Sequence, residues 1–155
     1  MPSPPEDQPL EGRFDGPEHR FPVRVYFEDT DLTGVVYHAN YLRYMERARS
    51  DFLRLIGIDH RGAIAAGEGG YAVSAIAIRY LRPAELDDKL VVLSKVTQIR
   101  AASGNIHQRV MRGDTILTQA DVTVALLGPT GRPRRQPKEW IAAFETVLVR
   151  GEEQA

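Results

Sequence analysis

YLRYMERARSDFLRLIGI, residues 41–58, decides the fold. Tyr41, Met45, Ala48, Phe52 and Leu55 recur at helical spacing, with Arg43, Arg47, Ser50 and Arg54 opposite them. That spacing predicts an amphipathic helix of about four turns, closed by Gly57 as its C-cap. Its start falls near His38 or Asn40. One residue cuts across the pattern. At about 100° per residue, Arg49 falls inside the apolar arc, between Met45 and Leu42. A cation there needs a partner or an opening to a cleft. Glu46, three residues earlier, is within reach, and a structural ion pair is the expected arrangement.

A helix of this kind must bury its apolar face, and the rest of the chain supplies sheet. Upstream, FPVRVYFE (21–28) alternates, with Val23, Val25 and Phe27 on one face, and predicts a half-buried strand. Downstream, residues 71–82, 89–100, 104–112 and 115–127 are rich in β-branched residues and bounded by turns. Short links between them predict an antiparallel meander of four consecutive strands, with Gly113–Asp114 as a tight hairpin. GPTGRPRRQPKEW (128–140) reads as a basic, turn-rich loop, and residues 137–149 as a short closing helix. The expected class is α+β: one long helix wrapped by a curved antiparallel sheet. An open sheet of five strands leaves free edges, and pairing them between subunits predicts a dimer or larger assembly.

The ends and the composition set bounds. Residues 1–20 hold five of the ten prolines and several acids. They predict a disordered arm. A single domain is expected over 21–150, with a frayed tail at 151–155. The 155 residues suffice for a full core. A formal net charge of −1 argues against a nucleic-acid partner. The absence of cysteine excludes disulfides, thiol catalysis and thiolate metal sites. No apolar run reaches the roughly 18–20 residues of a membrane span. No signal-peptide core opens the chain, and a cytoplasmic soluble protein is expected.

Between the first strand and the helix lies FEDTDLTGVVYHAN, residues 27–40. Asp29, Asp31, Thr33 and Gly34 nearly match a calcium loop, but position 40 is Asn where that template requires Glu, and a strand precedes the loop instead of a helix. Asp29, Asp31 and His38 are metal-ligand types at a spacing that matches no strong metal pattern. Asp, Thr and Gly are also what an ordinary turn contains. The sequel points elsewhere. Two aromatics, a His and an Asn stand directly before a helix start, whose unpaired N–H groups suit a developing oxyanion. A carboxylate just upstream of such an end is placed to act as general base or nucleophile. Carboxylate and backbone donors together are sufficient for acyl transfer.

VYFEDTDLTGVVYHANYLRYMERAR, residues 25–49, resembles the signature of the 4-hydroxybenzoyl-CoA thioesterase family of hotdog-fold proteins. It is most similar to the branch of bacterial acyl-CoA thioesterases associated with the Tol–Pal envelope system. Tyr26, Asp29-Thr30-Asp31, Gly34-Val35-Val36-Tyr37-His38, Asn40-Tyr41 and Glu46-Arg47-Ala48-Arg49 carry the resemblance. It implies Asp31 as the catalytic carboxylate, attacking the thioester carbonyl or activating water. It implies the His38 position as the backbone N–H that polarises that carbonyl. Tyr37 would line the pocket, Asn40 would cap the helix or orient Asp31, and Gly34 would keep the turn tight. Glu46 and Arg49 would be support structure. The family pairs two subunits through their sheets, as homodimers or homotetramers, with sites at the interface. The substrate would be a short-chain or aromatic acyl-CoA, or an acyl carrier protein thioester, with no cofactor and no metal. CoA phosphates need basic contacts, for which Arg134 and Arg135, beside Arg132 and Lys138, are candidates, with Arg79 and Arg82 as a second group. A non-catalytic acyl-CoA or carrier-protein binder of the envelope is the alternative. Hotdog hydratases pair His with an acid in other local patterns, which are not found here.

Overall fold

The structure, a computed structural model, describes residues 2–150; the tail expected at 151–155 lies outside the described residues. The elements run β1 (Arg13–Asp15), β2 (Glu18–Arg24), α1 (His38–Leu55), α2 (His60–Ala65), β3 (Gly70–Tyr80), β4 (Lys89–Ile99), β5 (Ser103–Arg112), β6 (Thr115–Leu127) and α3 (Lys138–Glu145). A short 3-10 turn covers Phe27–Asp29. The six strands form one antiparallel sheet in the order β1-β2-β4-β5-β6-β3. No helix among the described residues is long and apolar enough to cross a membrane.

α1 packs against one face of this sheet as its periodicity requires. Tyr41, Met45, Ala48 and Phe52 are buried, and so is Tyr44. Tyr41, Tyr44, Met45 and Ala48 meet Val23, Leu90, Val92, Val110, Leu117 and Val122 from four strands, while Phe52 packs in a second cluster with Val96, Ile106 and Phe144. Fully burying a side chain such as Phe52 contributes about 1.5–3 kcal/mol. The helix stops where Gly57 adopts φ +87°. Gly57 N–H bonds the Arg54 carbonyl, and Ile58 N–H bonds the Leu53 carbonyl. This is the Schellman pairing, with buried Ile58 as its apolar contact. Directly after it, the Asp59 carboxylate accepts the Gly62 N–H at 2.9 Å and starts α2, an element too short for its period to register in the sequence.

Three expectations change. The four downstream strands are not one meander: β4, β5 and β6 are, but β3 pairs with β6. β2 already occupies the other side of β4. The link 81–88, with Pro83, is long enough to cross the end of the sheet rather than fold a hairpin. The first strand ends at Arg24 and not Glu28: Val23 and Val25 are buried as alternation predicts, but Phe27 is 81% exposed. The Asp29 carboxylate turns back onto the Tyr26 N–H at 2.8 Å and bends the chain out of the sheet. The arm expected over 1–20 is also shorter, because β1 and β2 form a hairpin through Gly16, at φ +60°.

That hairpin is tied to α1 by a buried polar contact. Asp51 lies on α1 with only 3% exposure, and an unpaired carboxylate there would cost several kcal/mol. His19 Nε2 meets Asp51 Oδ2 at 2.7 Å, and the Gly12 N–H donates to the same oxygen at 3.0 Å. A Cβ on Gly12 would lie 2.4 Å from the Arg20 carbonyl oxygen, so only glycine fits. Phe14, Phe21 and Phe52 surround the imidazole. Nδ1 of His19 is buried with no partner. The ring therefore gives its one proton to Asp51 and stays neutral. Burial pushes its pKa below the ordinary 6.5, against the opposing pull of Asp51.

Folded His19 thus binds fewer protons than the unfolded chain once pH drops to about its ordinary value. His60, pushed down by burial, acts in the same direction. Stability should hold above pH 6.5 and decline as pH falls below it. Tm measured from pH 7.5 to 5.5 should drop in the native chain. The drop should be shallower in His19→Phe.

Candidate active site

The loop from Tyr26 to Tyr37 is built around the Asp29 carbonyl. That oxygen accepts the Tyr37 N–H at 2.9 Å and the Asn40 side-chain amide at 2.8 Å. Asn40 is buried in the first turn of α1, so its amide neither caps the helix nor reaches Asp31. It fixes the chain on which both acids sit. Thr30 and Val36 bridge across the loop, and Asp31 N–H donates to the Val35 carbonyl at 2.9 Å. Gly34, at φ +86°, makes the reversal and donates to the Asp31 carbonyl at 3.0 Å. Val35 and Val36 then bridge to the 84–85 segment, where the Tyr41 hydroxyl accepts the Ala84 N–H.

The two acids diverge. Asp29 is buried, and its carboxylate is committed to the Tyr26 N–H. Asp31 faces outward. Its Oδ1 accepts the Thr33 N–H at 2.8 Å and the Thr33 hydroxyl at 2.5 Å. The Thr33 hydroxyl, then the Thr33 N–H, hold the Asp31 carboxyl below its ordinary value. Asp31 is an ionised carboxylate with Oδ2 uncommitted among the described residues. Among the described residues, no set of three or more carboxylate and imidazole groups converges there.

His38 opens α1, and Tyr37 before it carries no side-chain cap. The N–H groups of His38 and Ala39 point out of the helix with no acceptor among the described residues. The His38 ring lies 4.5 Å from that of Tyr37 and 6.1 Å from that of Tyr80, both measured between centroids. The Tyr80 hydroxyl donates to the His38 carbonyl at 3.0 Å. Tyr80 is the residue that sequence reasoning missed; nothing in its spacing links the end of β3 to the start of α1. Asp31, Gly34, Tyr37 and His38 therefore lie together at one end of β3, with Asn40 buried beneath them.

Arg134 and Arg135 do not join them. Their loop packs at the other end of β3, where Gly70 pairs with Leu127, and the Arg134 guanidinium donates to the Glu68 carbonyl. Arg49 also departs from expectation. Its Nη1 donates to Oε1 of Gln108 at 2.9 Å, and not to Glu46. It opens onto a cavity of about 320 Å³, walled by Phe52, Ile106, Val124 and Phe144 and by Tyr71 and Val73 at the start of β3.

The family model described as the thioesterase-like superfamily matches residues 25–144. The acyl-CoA thioesterase YbgC of Haemophilus influenzae is 43% identical over 126 residues, covering 80% of this chain and 92% of the relative. A crystal structure of a probable thioesterase from Bartonella henselae, 37% identical, superposes with a TM-score of 0.74 over 77% of this chain and 99% of its own. A thioesterase complexed with coenzyme A and Zn, from Thermus thermophilus, is 27% identical with a TM-score of 0.73, over 86% and 96%. Matched in sequence and in fold across most of its length, the chain belongs to the thioesterase-like superfamily of hotdog-fold enzymes.

Proposed function

We propose that this protein hydrolyses acyl-CoA thioesters, with Asp31 as the reacting carboxylate. One observation carries the reading: an ionised, outward-facing Asp31 stands beside a helix start with two uncommitted N–H groups. The thioester carbonyl accepts from that helix end, where the backbone dipoles favour developing negative charge. Asp31 attacks the carbonyl carbon or takes the proton of an attacking water; both routes need it ionised. The C–S bond breaks and the thiol leaves with a proton; with water as the attacking group the acid forms directly, whereas direct attack leaves a mixed anhydride on Asp31 that water then hydrolyses to free acid and carboxylate. The thioesterase names of the relatives support the same reaction class.

The active unit in this reading is at least a dimer, formed along β3. That strand is paired on one side only. Its residues 73–77 are all exposed, with Val73 and Ile76 showing 47% and 38% of their surfaces. An edge this long and apolar is normally covered. Antiparallel pairing about a two-fold axis would join two β3 strands and bring the Tyr80 end of one beside the Tyr71 end of the other. The basic loop with Arg134 and Arg135 would then lie near the second copy's helix start, within reach of CoA phosphates. An acyl carrier protein as thiol carrier would approach the same face.

Thiol release from a panel of acyl-CoAs tests the chemistry. Asp31→Asn should lower turnover by about 10²-fold or more. Near-native turnover would remove Asp31 from its role, and tight acyl-CoA binding without thiol release would fit a binding protein instead. Thr33→Val removes the largest cause holding Asp31 acidic. The acid limb of its pH–rate profile should move to higher pH. Ile76→Lys should yield monomers in sedimentation velocity and lose activity with them.

A further inference from the structure

We infer that Arg49 is a specificity-determining residue that selects acyl groups ending in a carboxylate. This rests on the thioester-hydrolysis reading above and on pairing along β3.

Arg49 is a cation in an unusual setting. A guanidinium offers five N–H donors. Gln108 Oε1 takes one, and that partner is a neutral amide. Gln108 is itself fully buried and anchored: its Nε2 donates to the Met45 carbonyl at 3.0 Å and to Ser94 Oγ at 2.9 Å. The amide oxygen thus has a fixed direction, and it aims the guanidinium. Arg49 forms no ion pair among the described residues. Burial strips hydration from it, while Glu46 partly restores the field. Glu46 is exposed on the rim of the same cavity. A core arginine kept only for packing is usually matched by a carboxylate. This one opens onto a void with apolar walls. A polar group at one side of such walls is the arrangement that orients a ligand by one end.

The occupant follows from β3. Within one chain, Tyr71 lies by the cavity and Tyr80 by His38. Nine residue steps of strand separate them by about 30 Å, too far for one short acyl group. Antiparallel pairing centred on the exposed run 73–77 exchanges the ends. The cavity of one copy then faces the Asp31 loop of the other. An acyl group whose thioester sits at that loop extends into a cavity of about 320 Å³, at the small end for ligand pockets. Its methylenes meet the apolar walls and its far end meets Arg49. A terminal carboxylate pairs with a guanidinium through two parallel hydrogen bonds, where a methyl group offers nothing.

The test compares acyl-CoAs matched in length: succinyl with butyryl, and glutaryl with valeryl. The wild-type protein should favour the carboxylated member by about tenfold or more in kcat/KM. Arg49→Met should cut that ratio at least about tenfold. Glu46→Gln changes an exposed residue, and it should raise the ratio. A wild-type preference for butyryl and valeryl, or an Arg49→Met variant that keeps the ratio, overturns the inference. Should Arg49→Met fail to fold, the wild-type ratio and Glu46→Gln still decide it. Calorimetric binding of the same pairs to Asp31→Asn reads the preference without turnover. It separates failure of this inference from failure of the hydrolysis reading.

Discussion

Burial of one face of α1 is the constraint on which the rest depends. A helix with Tyr41, Tyr44, Met45, Ala48 and Phe52 on one side cannot stand in water. Only a curved sheet offers enough apolar surface to cover it, and strands from both sides of the helix in sequence must contribute. β2 comes from before α1, and β4, β5 and β6 from after it. Holding the helix start against the sheet end also fixes the loop that leads into it. The candidate site is therefore a by-product of core packing: its N–H groups are exposed because the helix must begin somewhere, and it begins beside Asp31.

The division of labour between Asp29 and Asp31 shows how two identical side chains acquire different chemistry. Asp29 is spent on structure, its carboxylate on Tyr26 and its carbonyl on Tyr37 and Asn40. Asp31 keeps an open oxygen because both Thr33 hydrogen bonds fall on its Oδ1. Residue type marked both as candidates, and the family resemblance singled out Asp31; the hydrogen bonds give the two carboxylates different surroundings.

Much of this was legible in the sequence for a physical reason. Helix period, strand alternation and glycine punctuation are local, so α1, its Gly57 stop and β4 to β6 could be read off directly. The groups of the candidate loop are contiguous, so they could be considered together without knowing the fold. Strand order was not, because the pairing of β3 with β6 is decided by which edges remain open after folding. The β1–β2 hairpin escaped because its anchor, Asp51, is far away in sequence, and a lone buried acid leaves no periodic trace. Gln108 as the partner of Arg49 was invisible for the same reason, since Glu46 looked like a sufficient match.

The strand order also carries a kinetic consequence. β2 has only the three-residue β1 beside it until β4 exists, and β3 waits for β6, with Gly70 meeting Leu127. The pairings that enclose α1 are thus separated by long stretches of chain, a topology of high contact order that folds slowly. On the ribosome, β3 must emerge well before β6 pairs with its backbone, and Val73 and Ile76, exposed even in the folded chain, face water throughout. The small residues around them, Ser74, Ala75 and Ala77, keep that waiting segment less sticky than a run of valine and isoleucine would be.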